Sequence, residues 1–529
     1  MRRTLVAAAV VLLALVPAIR LAWLSRDGPH LGFYHDDGIY WVTAKSLAQG
    51  SGYRVVSLPG APYQTKYPPV FPALLSIAWR ITPEFPLNLG TAAWLTWLPL
   101  PLMIVLTNAL MAQWRVGGGT RLLVCAMLAL NPYLAYFGTV LMSEIWATCF
   151  LLASLVLAGS ERKAGWPAAL GGLCAAAAYL TKTVTAPLLI AVPLVLIWKR
   201  RRVATALFLA CALPPVAAWH AWSAAHRAPA TDWTWLYYVD YLGFWARDIT
   251  PAILPTVVYH NLSDFFIGGG DLLMFRLSTV AGGVQLARLL MIAALVGLVR
   301  WTRANRHPEY ALFAAGQFAL LLVWDFPPNE RFLILVLPLL ILGLWTEMSH
   351  LGRIAQRSWR RPERSQRAAA VIAGSLVVCL AAAMVARNTG AVWNFLPALA
   401  GQRRAAAARS RPLYEWIARH TPPDATFFAG SDTTLYLYTG RQATTLSIPL
   451  RYFYTEDRAA ILAESARLTE FARARRLDYL LLTPADFELA SLPEERRRVV
   501  REAVARDARF RTVHDSPAGT VVKVERHAE

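Results

Sequence analysis

Acidic residues are scarce in this sequence. Its 529 residues include only 33 Asp and Glu, and charged residues of both signs make up 16% of the chain, whereas 56% of it is hydrophobic. A soluble globule built around a single core is a poor match for this composition. The chain is therefore predicted to be a membrane protein, for which lipid is part of the solvent.

Cysteine chemistry and nucleotide-binding motifs are also missing. The five cysteines all lie inside apolar runs, with no CxxC pair and no ligand-like spacing, at Cys125, Cys149, Cys174, Cys211 and Cys379. We interpret them as small core residues. No Walker loop, GxGxxG after a strand, HExxH or GxSxG occurs. A substrate that is activated in advance and delivered through the lipid fits these absences better than nucleotide hydrolysis does.

Positive charge is abundant, with 53 Lys and Arg and a net charge of +20. These residues gather in short clusters between apolar runs and form no aromatic-interleaved basic face, which is what a nucleic-acid surface requires. We therefore predict no nucleic-acid partner. Charge placed between apolar runs instead sets membrane topology.

About eleven apolar windows are long enough to cross a bilayer, which takes about 17 to 25 residues. They lie near residues 4–24, 87–112, 121–138, 141–159, 165–181, 184–198, 204–223, 285–299, 310–325, 332–348 and 368–386. The first is interpreted as a retained span and not as a signal peptide, because it has no small-x-small cleavage site. The fold class is thus predicted as mainly α, a polytopic membrane protein.

Topology follows from the positive-inside rule. If the N-terminus is cytoplasmic, all dense basic clusters fall on the inner side: Arg2-Arg3, Arg115 with Arg121, Arg162-Lys163, Lys199 to Arg202, Arg300 with Arg303 and Arg306, and the run from Arg353 to Arg367. An odd number of spans then places the C-terminus outside. The prediction is a multi-pass protein of the bacterial inner membrane with a periplasmic C-terminal domain.

The chain divides into two predicted domains, a transmembrane catalytic domain over 1–398 and a soluble periplasmic α/β domain over 399–529. In the second domain DATFFAG, LYLYTG, DYLLLT and GTVVKVE look like strands, while 411–420, 456–475 and 492–506 look like helices.

Two outer loops, 25–86 and 224–284, interrupt the first domain. The pattern of residues 38–48 predicts an amphipathic helix that lies at the membrane interface. A second helix is predicted to start at Pro68-Pro69. The loop over 224–284 is predicted to contain short helices.

Adjacent carboxylates, Asp36 and Asp37, stand just past the first span, between His35 and Tyr40. A carboxylate that is partly desolvated at a membrane surface becomes more basic and suits the removal of a proton from an attacking hydroxyl. The alternative interpretation is that the pair simply caps the helix that it begins.

Lys66 and Tyr67 precede the prolines of the second interfacial helix. A lysine beside a helix N-terminus forms a phosphate site, because both attract the same anion. A lysine that only extends to the lipid headgroups is the alternative.

Four more ionisable residues lie at the outer ends of predicted spans: Glu144, Lys182, Glu330 and Arg331. Ionisable groups at membrane depth are costly and usually face a cavity. We expect them to border one outward cavity together with Asp36, Asp37 and Lys66. Structural ion pairs are the alternative for each of them.

The ordered set of an acidic pair after the first span, an interfacial helix, a Lys-Tyr-Pro-Pro turn and a multispan body resembles the C-type (GT-C) superfamily of membrane glycosyltransferases. The branch of protein O-mannosyltransferases and aminoarabinose transferases, family 39-like, is the most similar. The resemblance covers residues 1 to about 350. It implies that Asp36 is the general base with Asp37 as its companion, and that Lys66 and Arg331 face the lipid-linked phosphate.

The resemblance further implies an inverting transfer of a hexose or pentose from a polyprenyl-phosphate donor. Substrate contacts are expected from His35, Tyr40, Tyr67, Glu144, Lys182 and Glu330 as well. No cofactor is required, and a divalent metal stays possible, although Thr65 stands where some relatives carry a carboxylate. The expected partners are the lipid-linked donor, membrane lipid and an acceptor that is a protein, a lipid or a glycan.

Two other classes of protein remain open at this point. A transporter or lipid-linked-sugar flippase would use the same charged cavity, although the spans show no paired broken helices in matching halves. A non-catalytic scaffold for envelope assembly would act through its C-terminal domain.

Overall fold

The computed structural model describes residues 2–160, 165–230, 232–305, 307–359, 364–488 and 491–525. Arg162, Lys163 and Arg306, which enter the topology prediction, lie outside these ranges, as does part of the cluster from Arg353 to Arg367.

Helices make up the body of the protein. Its first part contains α1 (Arg2–Ser25), α2 (His35–Ala48), α3 (Val70–Ile81), α4 (Leu89–Trp97), α5 (Pro99–Gln113), α6 (Gly118–Ala129), α7 (Pro132–Phe137), α8 (Glu144–Ala158), α9 (Trp166–Thr181), α10 (Leu188–Trp198) and α11 (Arg202–His226). Its second part contains α12 (Trp233–Val239), α13 (Tyr241–Asp248), α14 (Leu254–Leu273), α15 (Gly283–Ala304), α16 (Glu309–Leu322), α17 (Glu330–Leu333), α18 (Leu337–Trp359), α19 (Arg364–Gly390) and α20 (Leu396–His420).

Within the described ranges, six helical segments are long and apolar enough to cross a membrane: Leu5–Ser25, Leu89–Gln113, Arg202–His226, Gly283–Ala304, Glu330–Trp359 and Ala370–His420. Six shorter apolar helices accompany them. Leucines of α1 such as Leu12 and Leu13 are exposed on the protein surface, as expected for side chains that face lipid. Each of the eleven predicted spans overlaps one of these apolar segments, although only six of the segments are long enough to cross a membrane. The mainly α, polytopic membrane fold is confirmed.

The C-terminal part folds around one five-stranded sheet. Its strands are β1 (Thr426–Ala429), β2 (Gln442–Thr444), β3 (Tyr479–Leu482), β4 (Phe510–Ser516) and β5 (Gly519–Val524), in the order β2-β1-β3-β5-β4. Strand β1 pairs in parallel with β2 and β3, and β5 pairs antiparallel with β3 and β4. The helices are α21 (Asp432–Thr439), α22 (Arg451–Tyr454), α23 (Arg458–Ala466), α24 (Leu468–Ala474) and α25 (Pro493–Arg506).

One predicted strand of this part is wrong. LYLYTG belongs to helix α21, which ends at Gly440 in the left-handed conformation (φ 75°) that glycine adopts without strain. The predicted division at 398/399 falls inside a continuous helical segment, because a π-helical turn over Ala391–Phe395 joins α19 to α20.

Helix α2 exists as predicted but does not lie on the surface as an amphipathic helix. Nine of its 14 residues are buried. Trp41 packs against Trp79 of α3, with ring centroids 4.8 Å apart, and Gly38 lies against the Thr433 side chain of α21. The interfacial prediction is wrong because the C-terminal part covers the face of α2 that was expected to meet the headgroups. Helix α3 begins after Pro69, as predicted.

The loop over 224–284 contains the short helices α12 and α13, as predicted. It also contains α14, a helix of 20 residues that the sequence did not indicate.

Helices α15 and α18 cross at two glycines. An added Cβ on Gly297 would lie 1.9 Å from the carbonyl oxygen of Gly343, and one on Gly343 would lie 2.2 Å from that of Ala294. Small residues let membrane helices approach this closely.

We therefore expect Gly297→Ala to lower the unfolding temperature in detergent. Overpacking should reduce the free energy of unfolding by about 1–3 kcal/mol. Gly374→Ala is the matched control, because a Cβ there meets open space in α19. Alanine in that helix is expected to be neutral or to stabilise by up to about 1 kcal/mol. Equal unfolding temperatures for both variants would contradict the tight crossing.

Candidate active site

Charged side chains meet where several helices end. The Arg331 guanidinium donates through Nη2 to Asp36 Oδ2 and through Nε to Glu144 Oε1. The Lys182 ammonium donates to the same Glu144 oxygen over 2.7 Å. Two cations and two anions therefore alternate in one largely buried chain, which we call the ion network (Asp36, Arg331, Glu144 and Lys182).

Local structure places each member of the ion network. Glu144 is the first residue of α8, and Lys182 directly follows α9 as its C-cap. Asp36 lies in the first turn of α2. Arg331 lies in α17, where the Asn329 side chain caps the helix by accepting from the Arg331 backbone N–H. Charges with little access to water must be paired, so this arrangement joins four chain segments.

Asp36 is more strongly paired than the sequence indicated. The Tyr67 hydroxyl donates to Asp36 Oδ1, while Arg331 holds the other oxygen. Burial alone would raise the pKa of Asp36, but the Arg331 guanidinium and the Lys66 ammonium lower it below its usual value. The expectation that desolvation makes this carboxylate more basic is wrong for the substrate-free protein, because two cations stabilise its charged form.

Lys66 lies in a cage of aromatic rings. Its Nζ is 3.6 Å from the ring centroid of Tyr237, 4.6 Å from that of Tyr241 and 4.9 Å from that of Tyr67. Burial lowers the pKa of Lys66 to about 8, although the Asp36 carboxylate raises it. The side chain is only 6% exposed, so it does not extend to the headgroups as the alternative interpretation required. An ammonium held over ring faces keeps its charge while it is largely shielded from water.

Asp37 faces away from the ion network. Its carboxylate accepts hydrogen bonds from the backbone N–H groups of Gly32, Phe33 and Tyr34, at 2.9 to 3.0 Å. Burial raises the pKa of Asp37 to about 6, while these N–H groups lower it. Its geometry is that of a turn and helix cap, which was the alternative interpretation, and not that of a catalytic companion of Asp36.

Two other residues expected to contact substrate bond to groups outside the ion network. His35 bonds to Asp432 of the C-terminal part over 2.9 Å and to Tyr237 over 3.1 Å. Glu330 accepts a hydrogen bond from Tyr133, because consecutive residues of α17 project in different directions and only Arg331 turns toward Asp36. The expectation that Glu330 borders one cavity with Asp36 is corrected accordingly, whereas His35 lies beside Tyr237, the ring nearest to the Lys66 ammonium.

Tyr40 packs against a ring of the aromatic cage. Its ring packs edge-on against Tyr67 and Phe71, with centroids 5.0 and 5.1 Å apart. The structure thus brings together five of the predicted charged residues, namely Asp36, Lys66, Glu144, Lys182 and Arg331.

Sequence reasoning missed Asp325, which lies in the loop between α16 and α17. It is fully buried, and it interacts electrostatically with Lys66. A carboxylate beside a Pro-Pro pair at the end of a predicted span was the available signal. Within the described residues, no group of three or more histidine, cysteine or acidic side chains lies close enough to hold a metal ion.

No family model and no curated protein sequence matches the chain. Its fold is similar to that of ArnT from Cupriavidus metallidurans in the apo state (TM-score 0.54, 13% identity, 98% of each chain covered). ArnT bound to undecaprenyl phosphate gives a TM-score of 0.55 at 14% identity, with 97% of each chain covered. The archaeal oligosaccharyltransferase AglB from Archaeoglobus fulgidus, in complex with an inhibitory peptide and a dolichol-phosphate, gives 0.54 at 12% identity, covering 99% of this chain and 75% of the other.

The chain therefore has the fold of the ArnT structures over nearly its whole length. The predicted fold-level resemblance is confirmed, and it extends into the C-terminal part, which the sequence motifs did not cover.

The ion network itself is testable through Glu144. Glu144→Gln removes the counter-ion that Arg331 and Lys182 share. We therefore expect the free energy of unfolding to fall by about 3–5 kcal/mol and the unfolding temperature to fall with it. Glu330→Gln is the matched control, because the amide oxygen can still accept from Tyr133. If both glutamine variants melted like the wild type, the shared carboxylate would not hold these helix ends together.

Proposed function

We propose that the protein is an inverting glycosyltransferase that moves one sugar from a polyprenyl-phosphate donor to an acceptor at the periplasmic face of the bacterial inner membrane. The observation that carries the proposal is the position of Asp36 beside two cations. Arg331 bonds to it directly, and Lys66 interacts with it electrostatically from the aromatic cage. A carboxylate and two cations around one site are the groups that this transfer needs.

In the proposed reaction, the acceptor hydroxyl or amine attacks the anomeric carbon of the sugar. Its proton passes to Asp36 as the new bond forms. The bond between the anomeric carbon and the phosphate oxygen breaks, and its electron pair leaves with the polyprenyl phosphate. Lys66 and Arg331 stabilise the charge on that leaving group. A single displacement of this kind inverts the anomeric configuration.

The donor would also activate the base. Without substrate, the positive charges of Arg331 and Lys66 keep Asp36 ionised and weakly basic. A donor phosphate that pairs with Arg331 and Lys66 reduces the stabilisation that these cations give to the ionised form of Asp36. The pKa of Asp36 then rises toward the value that proton transfer requires. The carboxylate becomes a better base only when the leaving group is in place.

The similar structures support the choice of donor. One ArnT structure contains undecaprenyl phosphate, and the AglB structure contains a dolichol-phosphate. Both ligands are polyprenyl phosphates, the class that Lys66 and Arg331 are proposed to bind.

We propose that the C-terminal α/β part, whose sheet begins with β1, acts as a cover over the site. Asp432 of α21 accepts hydrogen bonds from Tyr238 over 2.7 Å and is bonded to His35, next to Asp36. The cover would exclude water from the sugar during transfer.

The central test replaces Asp36 and Lys66 separately. We expect Asp36→Asn to lower kcat about 10²- to 10⁴-fold, because the general base is lost. Lys66→Ala is expected to raise KM for the lipid-linked sugar, because a phosphate contact is lost. Asp27→Asn and Lys45→Ala are matched controls, since Asp27 is exposed and Lys45 packs on Trp79 and Tyr436 away from the ion network.

Transfer is measured in proteoliposomes with polyprenyl-phosphate sugars. Full activity of both site variants in folded protein would end the proposal. Movement of the lipid-linked sugar across the bilayer without a covalent product would instead identify a flippase.

Lys66 predicts a specific pH dependence. Its lowered pKa of about 8 means that the free protein loses this charge as the pH rises through 8, and bound phosphate favours the charged form. The affinity for undecaprenyl phosphate should therefore fall above pH 8, by up to about tenfold per pH unit. Lys66→Arg should retain its affinity to a higher pH, because a guanidinium stays protonated. Identical pH profiles for the two proteins would contradict the assignment of Lys66 to the phosphate.

A further inference from the structure

Asp325 is the buried carboxylate for which, within the described residues, neither oxygen accepts a hydrogen bond from another residue of the chain. Its exposed fraction is 0%. An ionised carboxylate accepts several hydrogen bonds, and to leave it buried without donors costs free energy. Buried groups of this kind need an explanation, and contact with a ligand is one.

The loop around Asp325 is firmly held. Trp245 Nε1 donates to the Val323 carbonyl over 2.8 Å, and Asn261 Nδ2 donates to that of Trp324 over 2.8 Å. The Tyr454 hydroxyl of α22 in turn donates to Asn261 Oδ1 over 2.9 Å. The C-terminal part thus fixes the backbone on which Asp325 stands, so its missing partners are not the result of a loose loop.

Asp325 and Asp36 flank the aromatic cage of Lys66. Trp324 packs against Tyr241, with ring centroids 4.9 Å apart, and Tyr241 is one wall of the cage. Asp36 bonds to Tyr67, which is another wall. Burial raises the pKa of Asp325 to about 7, although the Lys66 ammonium and its own backbone N–H lower it.

The two carboxylates differ in what they offer. Asp36 is bonded by Tyr67 and Arg331, whereas the oxygens of Asp325 are free to accept hydrogen bonds from a ligand. If Lys66 binds the donor phosphate, the two groups attached to that phosphate are the apolar polyprenyl chain and the sugar ring, and only the sugar carries hydroxyl groups. Its hydroxyl groups are the hydrogen-bond donors that the Asp325 oxygens lack.

We infer that Asp325 binds the sugar of the lipid-linked donor by accepting hydrogen bonds from its hydroxyl groups. The inference rests on the proposed function, which it deepens by assigning sugar recognition to Asp325 and phosphate recognition to Lys66. Asp325 is then a specificity residue, and Asp36 remains the base.

The test compares binding of undecaprenyl phosphate with binding of its hexosyl and pentosyl glycosides, measured on the full chain in nanodiscs. We expect the wild type to bind at least one glycoside more tightly than the bare carrier. Asp325→Ala should remove about a ten- to hundredfold preference, the worth of a charge-assisted hydrogen bond. Its affinity for the bare carrier should stay the same or rise, because a negative charge beside Lys66 is lost.

Asp325→Asn keeps the shape of the side chain and serves if the alanine variant does not fold. It should lose part of the same preference. Asp248→Asn is the matched control, because this buried carboxylate is already occupied by the backbone N–H groups of Leu450 and Arg451. It should retain the wild-type preference.

An unchanged preference in the folded Asp325 variants would overturn the inference and leave the proposed function standing. A wild type that binds no glycoside more tightly than the bare carrier would overturn the inference in the same way and also leave the proposed function standing. Failure of the wild type to bind undecaprenyl phosphate at all would overturn the proposed function, and the inference would fall with it.

Discussion

The rest of the site depends on the hydrogen-bonded ion pairs that the Arg331 guanidinium makes. The guanidinium bonds to Asp36 on one side and to Glu144 on the other. Glu144 also accepts a hydrogen bond from the Lys182 ammonium. An unpaired charge at this depth would be costly, so each of these residues is stable only because the others are present. The helix ends that carry them must therefore meet at one place, and Asp36 is held there in a defined orientation.

The charges of this cluster nearly balance one another. The ion network is neutral, and the Lys66 ammonium in its aromatic cage interacts electrostatically with the Asp325 carboxylate. A lipid-linked phosphate would bring its negative charge next to Lys66 and Arg331, where both cations can pair with it. The C-terminal part lies over the same region through Asp432 and Tyr454, so the site is enclosed by both parts of the chain.

Some of this arrangement was predictable from sequence. The spans follow from the thickness of a bilayer, which sets the length of an apolar run. Arg331 and Lys182 stand out because cations inside apolar surroundings need a reason to be there. The burial of α2 was not predictable, because its cover comes from α21, about 400 residues further along the chain. Asp325 gave only a weak signal, because an acidic residue near a Pro-Pro pair at the end of a predicted span does not distinguish a site residue from a solvated turn.

The most direct measurement is a cryo-electron microscopy structure of the full chain in nanodiscs with undecaprenyl phosphate. We expect the phosphate within hydrogen-bond reach of both the Lys66 ammonium and the Arg331 guanidinium, with Asp36 beside it. A phosphate bound away from both cations, for example at the basic cluster from Lys199 to Arg202, with the aromatic cage and the ion network unchanged, would contradict the assignment of this cluster as the site of transfer.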